Sequence, residues 1–176
     1  MDPVQTSVRP AVDHDAGRLA EIHIAAWQAT YRGIMTDERL DGMSIERATA
    51  HWQRNITDPA KGTEHLIVTH DDLPVGFAIF GPAPNDCAPD TGQLYALNLH
   101  PDWWAQGLGS TLFIASEQRL TALGYARAFL WVAKGNERAI SFYNKHGWLD
   151  DGGTLEDAHF DPPIIEHRHS RMLNRS

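Results

Sequence analysis

Leu94-Tyr95-Ala96-Leu97-Asn98-Leu99-His100-Pro101-Asp102-Trp103-Trp104-Ala105-Gln106-Gly107-Leu108-Gly109-Ser110 decides the fold. Gln93 to Leu99 is a short apolar run with strand-like alternation, and His100-Pro101-Asp102 breaks it. Gly107 to Ser110 then opens a helical pattern, with Leu112, Phe113, Ser116, Leu120 and Leu123 on one face. A strand, a glycine-bearing turn and a helix start put free backbone N–H groups at the positive end of a helix dipole. That is a site for a phosphate or pyrophosphate.

The residues around the turn separate the designs that use one. The dinucleotide fingerprint needs a third glycine where this chain has Leu112, and an acid about twenty residues on, where it reads Tyr125-Ala126-Arg127-Ala128. A dinucleotide-dependent oxidoreductase is therefore disfavoured. The Walker loop needs Gly-Lys-Ser/Thr, which does not occur. A diphosphate cradle built from backbone remains.

A second apolar run, Ala128 to Val132, is followed by Asn136-Glu137-Arg138-Ala139-Ile140-Ser141-Phe142-Tyr143-Asn144-Lys145-His146-Gly147-Trp148. With the first stretch, this resembles the GCN5-related N-acetyltransferase (GNAT) family, whose pattern is Gln/Arg-x-x-Gly-x-Gly/Ala, then a strand, an Asn, and Ala-Ile-x-Phe-Tyr-x-x-x-Gly-Phe. Gly107 and Gly109 fit the loop; Asn136, Ala139, Ile140, Phe142, Tyr143 and Gly147 fit the second motif. Trp148 replaces the usual Phe, and Trp104 stands where the family has Gln or Arg.

The resemblance implies an α/β (α+β) fold: a mixed, mostly antiparallel sheet of six or seven strands flanked by helices, with two central strands splayed apart. It implies acetyl-CoA as co-substrate. Its pantetheine arm would pair with backbone of Leu97 and Leu99, with Asn98 between them, and its pyrophosphate would lie on amides of Ala105, Gln106, Gly107, Leu108, Gly109 and Ser110. Asn136 is read both as a helix N-cap and as a coenzyme contact. Tyr143 matches the motif tyrosine, touches the coenzyme, and is the candidate general acid, since a phenol suits a thiolate leaving group. The acceptor site is expected around the loop between the first two helices and the face of the central strands, with Trp27, Tyr31, Tyr95 and Trp131 as its aromatic candidates. Gln93 sits where the family often has an acid, so the general base stays open among Tyr95, Glu64 and a water chain.

Length and composition set outer bounds. The 176 residues suit one domain, residues 1–176, and 42% hydrophobic with 22% charged residues are globular values. A net charge of −8 offers nucleic acid no electrostatic footprint. The single Cys87, in a Pro- and Asp-rich loop, forbids an internal disulfide and reads as an inert thiol. No apolar run spans a membrane and no N-terminal signal pattern appears, so a cytoplasmic location is expected.

The remaining elements follow from pattern. Val4 to Arg9 is an edge strand, and Asp13 caps a first helix to about Thr30 that Gly33 ends. A short helical turn runs from Thr36 to Gly42, and Ser44 caps a third helix. Glu64 to His70 and Val75 to Phe80 form a hairpin about Asp71-Asp72. Gly147 to Gly153 returns as a strand, Thr154 to Pro163 is a polar connection, and Ile164 to Leu173 is a last strand. His159, His167 and His169 suggest a metal, but a solvated terminal strand is the preferred reading, and no metal site is expected.

The functional expectation is acetyl transfer by direct attack of an amine on the thioester. The partner is the amine of a small molecule or peptide; homodimer formation stays open. A non-catalytic acyl-CoA-binding module on the same fold is the alternative.

Overall fold

The computed structural model describes residues 3–173. Its strands are β1 (Thr6–Pro10), β2 (Glu64–His70), β3 (Leu73–Pro82), β4 (Thr91–Leu99), β5 (Arg127–Ala133), β6 (Leu149–Asp157) and β7 (Ile164–Met172). Its helices are α1 (Ala16–Tyr31), α2 (Asp37–Asp41), α3 (Ile45–Thr57), α4 (Leu108–Ala122) and α5 (Glu137–Lys145). One seven-stranded sheet runs β1-β2-β3-β4-β5-β7-β6. Every neighbouring pair is antiparallel except β4–β5, which the helical crossover α4 makes parallel.

Period-two alternation sorts the side chains. Ile67 and Phe77 face α1 and α3, where Leu19, Ile22 and Trp52 cover them. Val68, Ala78, Phe80, Leu130 and Val132 face α4 and α5 and pack with Leu112, Phe113, Leu120, Tyr143 and Trp148. Trp148, 1% exposed, fills the motif's usual Phe position because its larger ring has a partner for its N–H, Glu117 Oε2 at 2.7 Å.

The central strands part after a short contact. β4 and β5 pair only from Thr91↔Arg127 to Gln93↔Phe129. Just beyond, the β3–β4 register slips, with Ile79 opposite Ala96 and Phe80 opposite Leu94, so Tyr95 is the extra residue of a β-bulge. The bulge turns the rest of β4 away from β5 and leaves a gap between them.

Four expectations need correction. Asp13 does not cap the first helix; it opens a 3-10 turn, Asp13–Asp15, and α1 starts at Ala16. The carboxylate that organises this corner is Asp15, buried, accepting from Val12 N at 2.8 Å and from Arg9 at 2.8 and 3.0 Å. β6 starts later and runs through Thr154 to Asp157, placed in a loop by sequence, because an edge strand needs no apolar alternation. Ile164 to Met172 is not a solvated terminal strand: β7 lies between β5 and β6, and His169 is 2% exposed with Nδ1 donating to Trp148 O at 3.0 Å.

Candidate active site

The gap between β4 and β5 opens into two adjoining cavities that share Leu97, Asn98, Arg138, Ala139 and Tyr143. The first, about 280 Å³, lies between the end of β4, the loop before α4, and α5. The second, about 410 Å³, lies between β4, β5, α1 and the β6–β7 end.

Backbone parity decides what β4 offers the gap. His100 N donates to Val75 O at 2.9 Å, so the groups of His100, and of Asn98 two residues back, point at β3. Those of Leu97 and Leu99 point the other way, beyond the last β4–β5 pair. The Leu99 carbonyl is already engaged there by the Trp104 indole N–H at 2.9 Å.

The loop before α4 is a run of upturned amides. Ala105 and Gly107 take left-handed φ values of 59° and 83°. Such a turn directs successive N–H groups to one side, as anion-binding nests do. The amides of Leu108, Gly109 and Ser110 form the first turn of α4, where a helix has no partners for its N–H groups. No acidic residue stands in that turn to compete with an anion. A Cβ on Gly109 would meet only the Leu99 and Phe142 side chains, at 3.6 Å, which is ordinary van der Waals contact. These features fit a diphosphate.

Ala105, Gly107, Gly109 and Ser110 line the first cavity with Leu97, Asn98, Leu99 and Tyr143. The Ser110 hydroxyl meets His146 Nε2 at 3.0 Å. The Gln106 side chain turns outward to Asp102 O at 3.0 Å, and the Leu108 side chain is core, which leaves both residues their backbone amides as cradle groups. Asn136 caps α5 through Oδ1, accepting from Ala139 N at 3.3 Å, and lines the second cavity rather than the first. At the position where the family pattern has Gln or Arg, the Trp104 ring carries the Arg138 guanidinium 3.5 Å from its centroid. A cation thus returns to this corner from α5.

Tyr143 is 9% exposed, lies at the junction of the two cavities, and packs against Phe113 and Phe142. Among the described residues its hydroxyl has no hydrogen-bond partner. Burial pushes its pKa above the ordinary phenol value, so it is a proton donor throughout the neutral range.

All four aromatic acceptor candidates, Trp27, Tyr31, Tyr95 and Trp131, line the second cavity. Phe160, which sequence did not single out, stacks on Trp27 at 5.4 Å and meets Tyr31 edge-on at 5.3 Å. Burial, then the charges of Glu166 and Asp157, pushes Tyr31 up to about 12. Two of the proposed bases fall away. The Tyr95 hydroxyl donates to Pro82 O, and Glu64 is held by Arg119 at 2.7 Å outside both cavities.

Sequence missed Glu166 and Asp157. Both line the second cavity, and each carboxyl group acts on the other's charge. Burial, reinforced by the neighbouring Asp157 carboxylate, pushes Glu166 up to about 7. Burial acts upward on Asp157 as well, but Glu166 and hydrogen bonds from the backbone and ring of His159 hold it below the ordinary value. The one local signal was a carboxylate at an alternating position of the Ile164–Met172 run. Among the described residues no group of three His, Cys, Asp or Glu side chains is placed to hold a metal, and no helix is long and apolar enough to cross a membrane.

A sheet parted at its centre, an amide cradle at the mouth of the gap and a tyrosine at its waist are the features that the resemblance to the acetyltransferase family implies. The sequence model of the acetyltransferase (GNAT) family matches residues 18–148, and the chain belongs to that family. It is an N-acetyltransferase whose co-substrate is acetyl-CoA. It is 27% identical over 142 residues to the uncharacterized N-acetyltransferase YuaI of Bacillus subtilis, covering 80% of this chain and 78% of the relative. It is 22% identical over 148 residues to the spermidine N(1)-acetyltransferase of Thermoplasma acidophilum, covering 80% and 86%. Among solved structures, the PaiA N-acetyltransferase of Thermoplasma acidophilum in complex with coenzyme A superposes with a TM-score of 0.69 at 20% identity, over 96% of this chain and 99% of that one. The ribosomal-protein-alanine N-acetyltransferase of Brucella melitensis gives 0.73 at 19%, over 95% and 99%.

Proposed function

We propose that this chain transfers the acetyl group of acetyl-CoA directly to a primary amine, of a small molecule or a peptide, presented in the second cavity. The observation that carries this reading is Tyr143, which lines both cavities where they meet. The cradle amides of Gly107 to Ser110 would hold the pyrophosphate. The N–H and C=O groups of Leu97, and the N–H of Leu99, would pair with the pantetheine arm as a strand pairs with an edge. One of these amides would also polarise the thioester carbonyl. Tyr143 would then give its proton to the departing sulfur.

The acceptor's surroundings favour a cation. Trp27, Tyr31, Trp131 and Phe160 offer ring faces and edges, and Asp157 and Glu166 offer the negative charge. A wider groove of about 740 Å³ under α1, α2 and α3 shares Trp27 and gives room for the rest of a larger acceptor. The relative named for spermidine supports placing polyamines first among those to try.

The test is thiol release from acetyl-CoA over a panel of polyamines, simple alkylamines, amino acids and peptide N-termini, with the acetylated product located by mass spectrometry. Nitrogen acetylation of a cationic amine is expected. Tight acetyl-CoA binding with no amine acetylated would overturn the reading in favour of a binding module.

A further inference from the structure

We propose that Glu166 is the general base of the transfer, taking a proton from the acceptor's ammonium group in the cavity it shares with Tyr143, and that Asp157 is the positioning residue that acts on its carboxyl group through charge. The proposal rests on the acetyltransferase reading above.

The placement follows from strand order. β7 lies between β5 and β6, with Glu166 opposite Ala133 on one side and Leu155 on the other. Leu130 and Val132 face α4 and α5, so Ala133 and its cross-strand partner Glu166 face α1. The small Ala133 leaves space beside the carboxyl group. Tyr143 reaches the same cavity from α5, on the other side of the sheet, through the gap. Base and acid therefore line one space from opposite faces. Tyr143, 9% exposed, lines both cavities where they meet and marks where a reacting group belongs.

The titratable and charged residues lining the cavity with Glu166 are Asp157 and His159 from β6 and the segment after it, Tyr31 from α1, Tyr95 from β4, and Arg138 and Tyr143 from α5. Arg168, two residues along β7, is paired with Asp151 at 2.8 Å. Asp157 is held in its charged form by its hydrogen bonds and is the weaker base. The tyrosines are protonated at neutral pH, and His159, with a 97% exposed side chain, is tied to Asp157 at 2.9 Å. Glu166 remains. A base poised near 7 is matched to neutral pH far better than an ordinary carboxylate.

The step balances. An ammonium group passes one proton to the Glu166 carboxylate and becomes a neutral amine. Its lone pair forms the C–N bond at the thioester carbon, and the C–S bond breaks with its electrons on sulfur. Tyr143 protonates the sulfur, and the second nitrogen proton to be lost restores the phenol. The proton on Glu166 passes to solvent, so ammonium and acetyl thioester give amide, thiol and one proton.

Two measurements test it. In protein labelled with carboxyl-13C glutamate and saturated with coenzyme A, the Glu166 resonance, assigned by its loss in Glu166→Gln, is expected to titrate near pH 7. Asp157→Asn should move that midpoint down, because a like charge is removed. Titration of wild-type Glu166 in the ordinary carboxylate range overturns the proposal, whatever the acceptor proves to be. In turnover with the best amine of the panel, Glu166→Gln should lower kcat by roughly 10²–10⁴-fold, with acetyl-CoA affinity and melting temperature unchanged. Asp157→Asn should shift the acid limb of kcat/KM to lower pH. A folded Glu166→Gln variant with wild-type kcat and an unmoved acid limb overturns the proposal. Failure of wild type to acetylate any amine instead overturns the acetyltransferase reading, and the resonance titration still decides the state of Glu166.

Discussion

Tyr143→Phe separates chemistry from architecture because of where the hydroxyl sits. The ring lies among Phe113 and Phe142, at centroid distances of 5.7 and 5.5 Å, and phenylalanine keeps both contacts. The hydroxyl has no partner among the described residues, so its removal breaks no hydrogen bond. Stability should therefore stay within about 0.5 kcal/mol of wild type. Tyr143→Ala would instead cost about 3–5 kcal/mol by opening a void in the core, and would say little about catalysis. The rate should respond quite differently. Loss of a general acid is worth roughly 10²–10⁴-fold, or about 2.7–5.4 kcal/mol of barrier. The proton is required only as sulfur leaves, so the loss belongs in kcat and not in acetyl-CoA affinity. The assay is thiol release at saturating acetyl-CoA and amine, with calorimetry for the coenzyme and single-turnover rates to establish that chemistry limits. Since burial raises the phenol above its ordinary pKa, wild type should show no alkaline fall from Tyr143 below about pH 10. A kcat within threefold of wild type while chemistry limits would refute the reasoning and leave Tyr143 a packing residue.

Gly109→Glu should fold, because its Cβ meets only Leu99 and Phe142 side chains at 3.6 Å, and a carboxylate in the first turn of α4 suits the helix dipole. The same charge, about 4 Å from a pyrophosphate, opposes it by roughly 4 kcal/mol at an effective dielectric of 20. Calorimetry should show acetyl-CoA affinity reduced about 100-fold or more, with Gly109→Ala near wild type. Ala105→Gly should raise stability by about 0.5 kcal/mol in urea, since a left-handed φ of 59° costs an alanine about 1–2 kcal/mol and the added chain entropy returns part of it. His23 is held neutral, down to about 4, by burial and then by the charge of His51. The unfolded chain protonates at about 6.5, so this stability is full above pH 6.5 and is lost as pH falls toward 4, by about 3 kcal/mol at 1.36 kcal/mol per pH unit. The wild-type loss between pH 7.5 and 4.5, followed by urea melts, should exceed that of His23→Gln by about that amount.

How far the sequence could be read depended on how local each signal was. Glu64 to His70, the helical turn after Thr36 and the cap Ser44 are written in neighbouring residues, and they sit where expected. The cradle and the second motif were equally plain, since a left-handed Gly107 and an N-capping Asn136 act over four or five residues. β6 was truncated in the reading because both faces of an edge strand tolerate polar residues, which erases the alternation. The His-rich run on β7 looked solvated for the same reason. Nothing local says that it is inserted between β5 and β6, and only that insertion buries His169 and brings Glu166 to the cavity. Trp27, Tyr31, Tyr95 and Trp131 were legible as aromatics on promising elements. That they line one space is a property of the assembled sheet.

The three residue pairs that join β4 to β5 make the sheet a pair of leaves on a short hinge. One leaf carries β1 to β4, the other β5, β7 and β6, with seven register pairs between β5 and β7 to keep it stiff. A molecule lying across the open end works as a strut, fixing the angle between leaves that the polypeptide secures only near Gln93. Amide hydrogen exchange would register that strut residue by residue. Leu97 and Leu99 face the opening and should exchange readily in the free chain, then slow when coenzyme spans it. Asn98, whose amide points to β3, should hold its rate in both states and so provide the reference within the same strand.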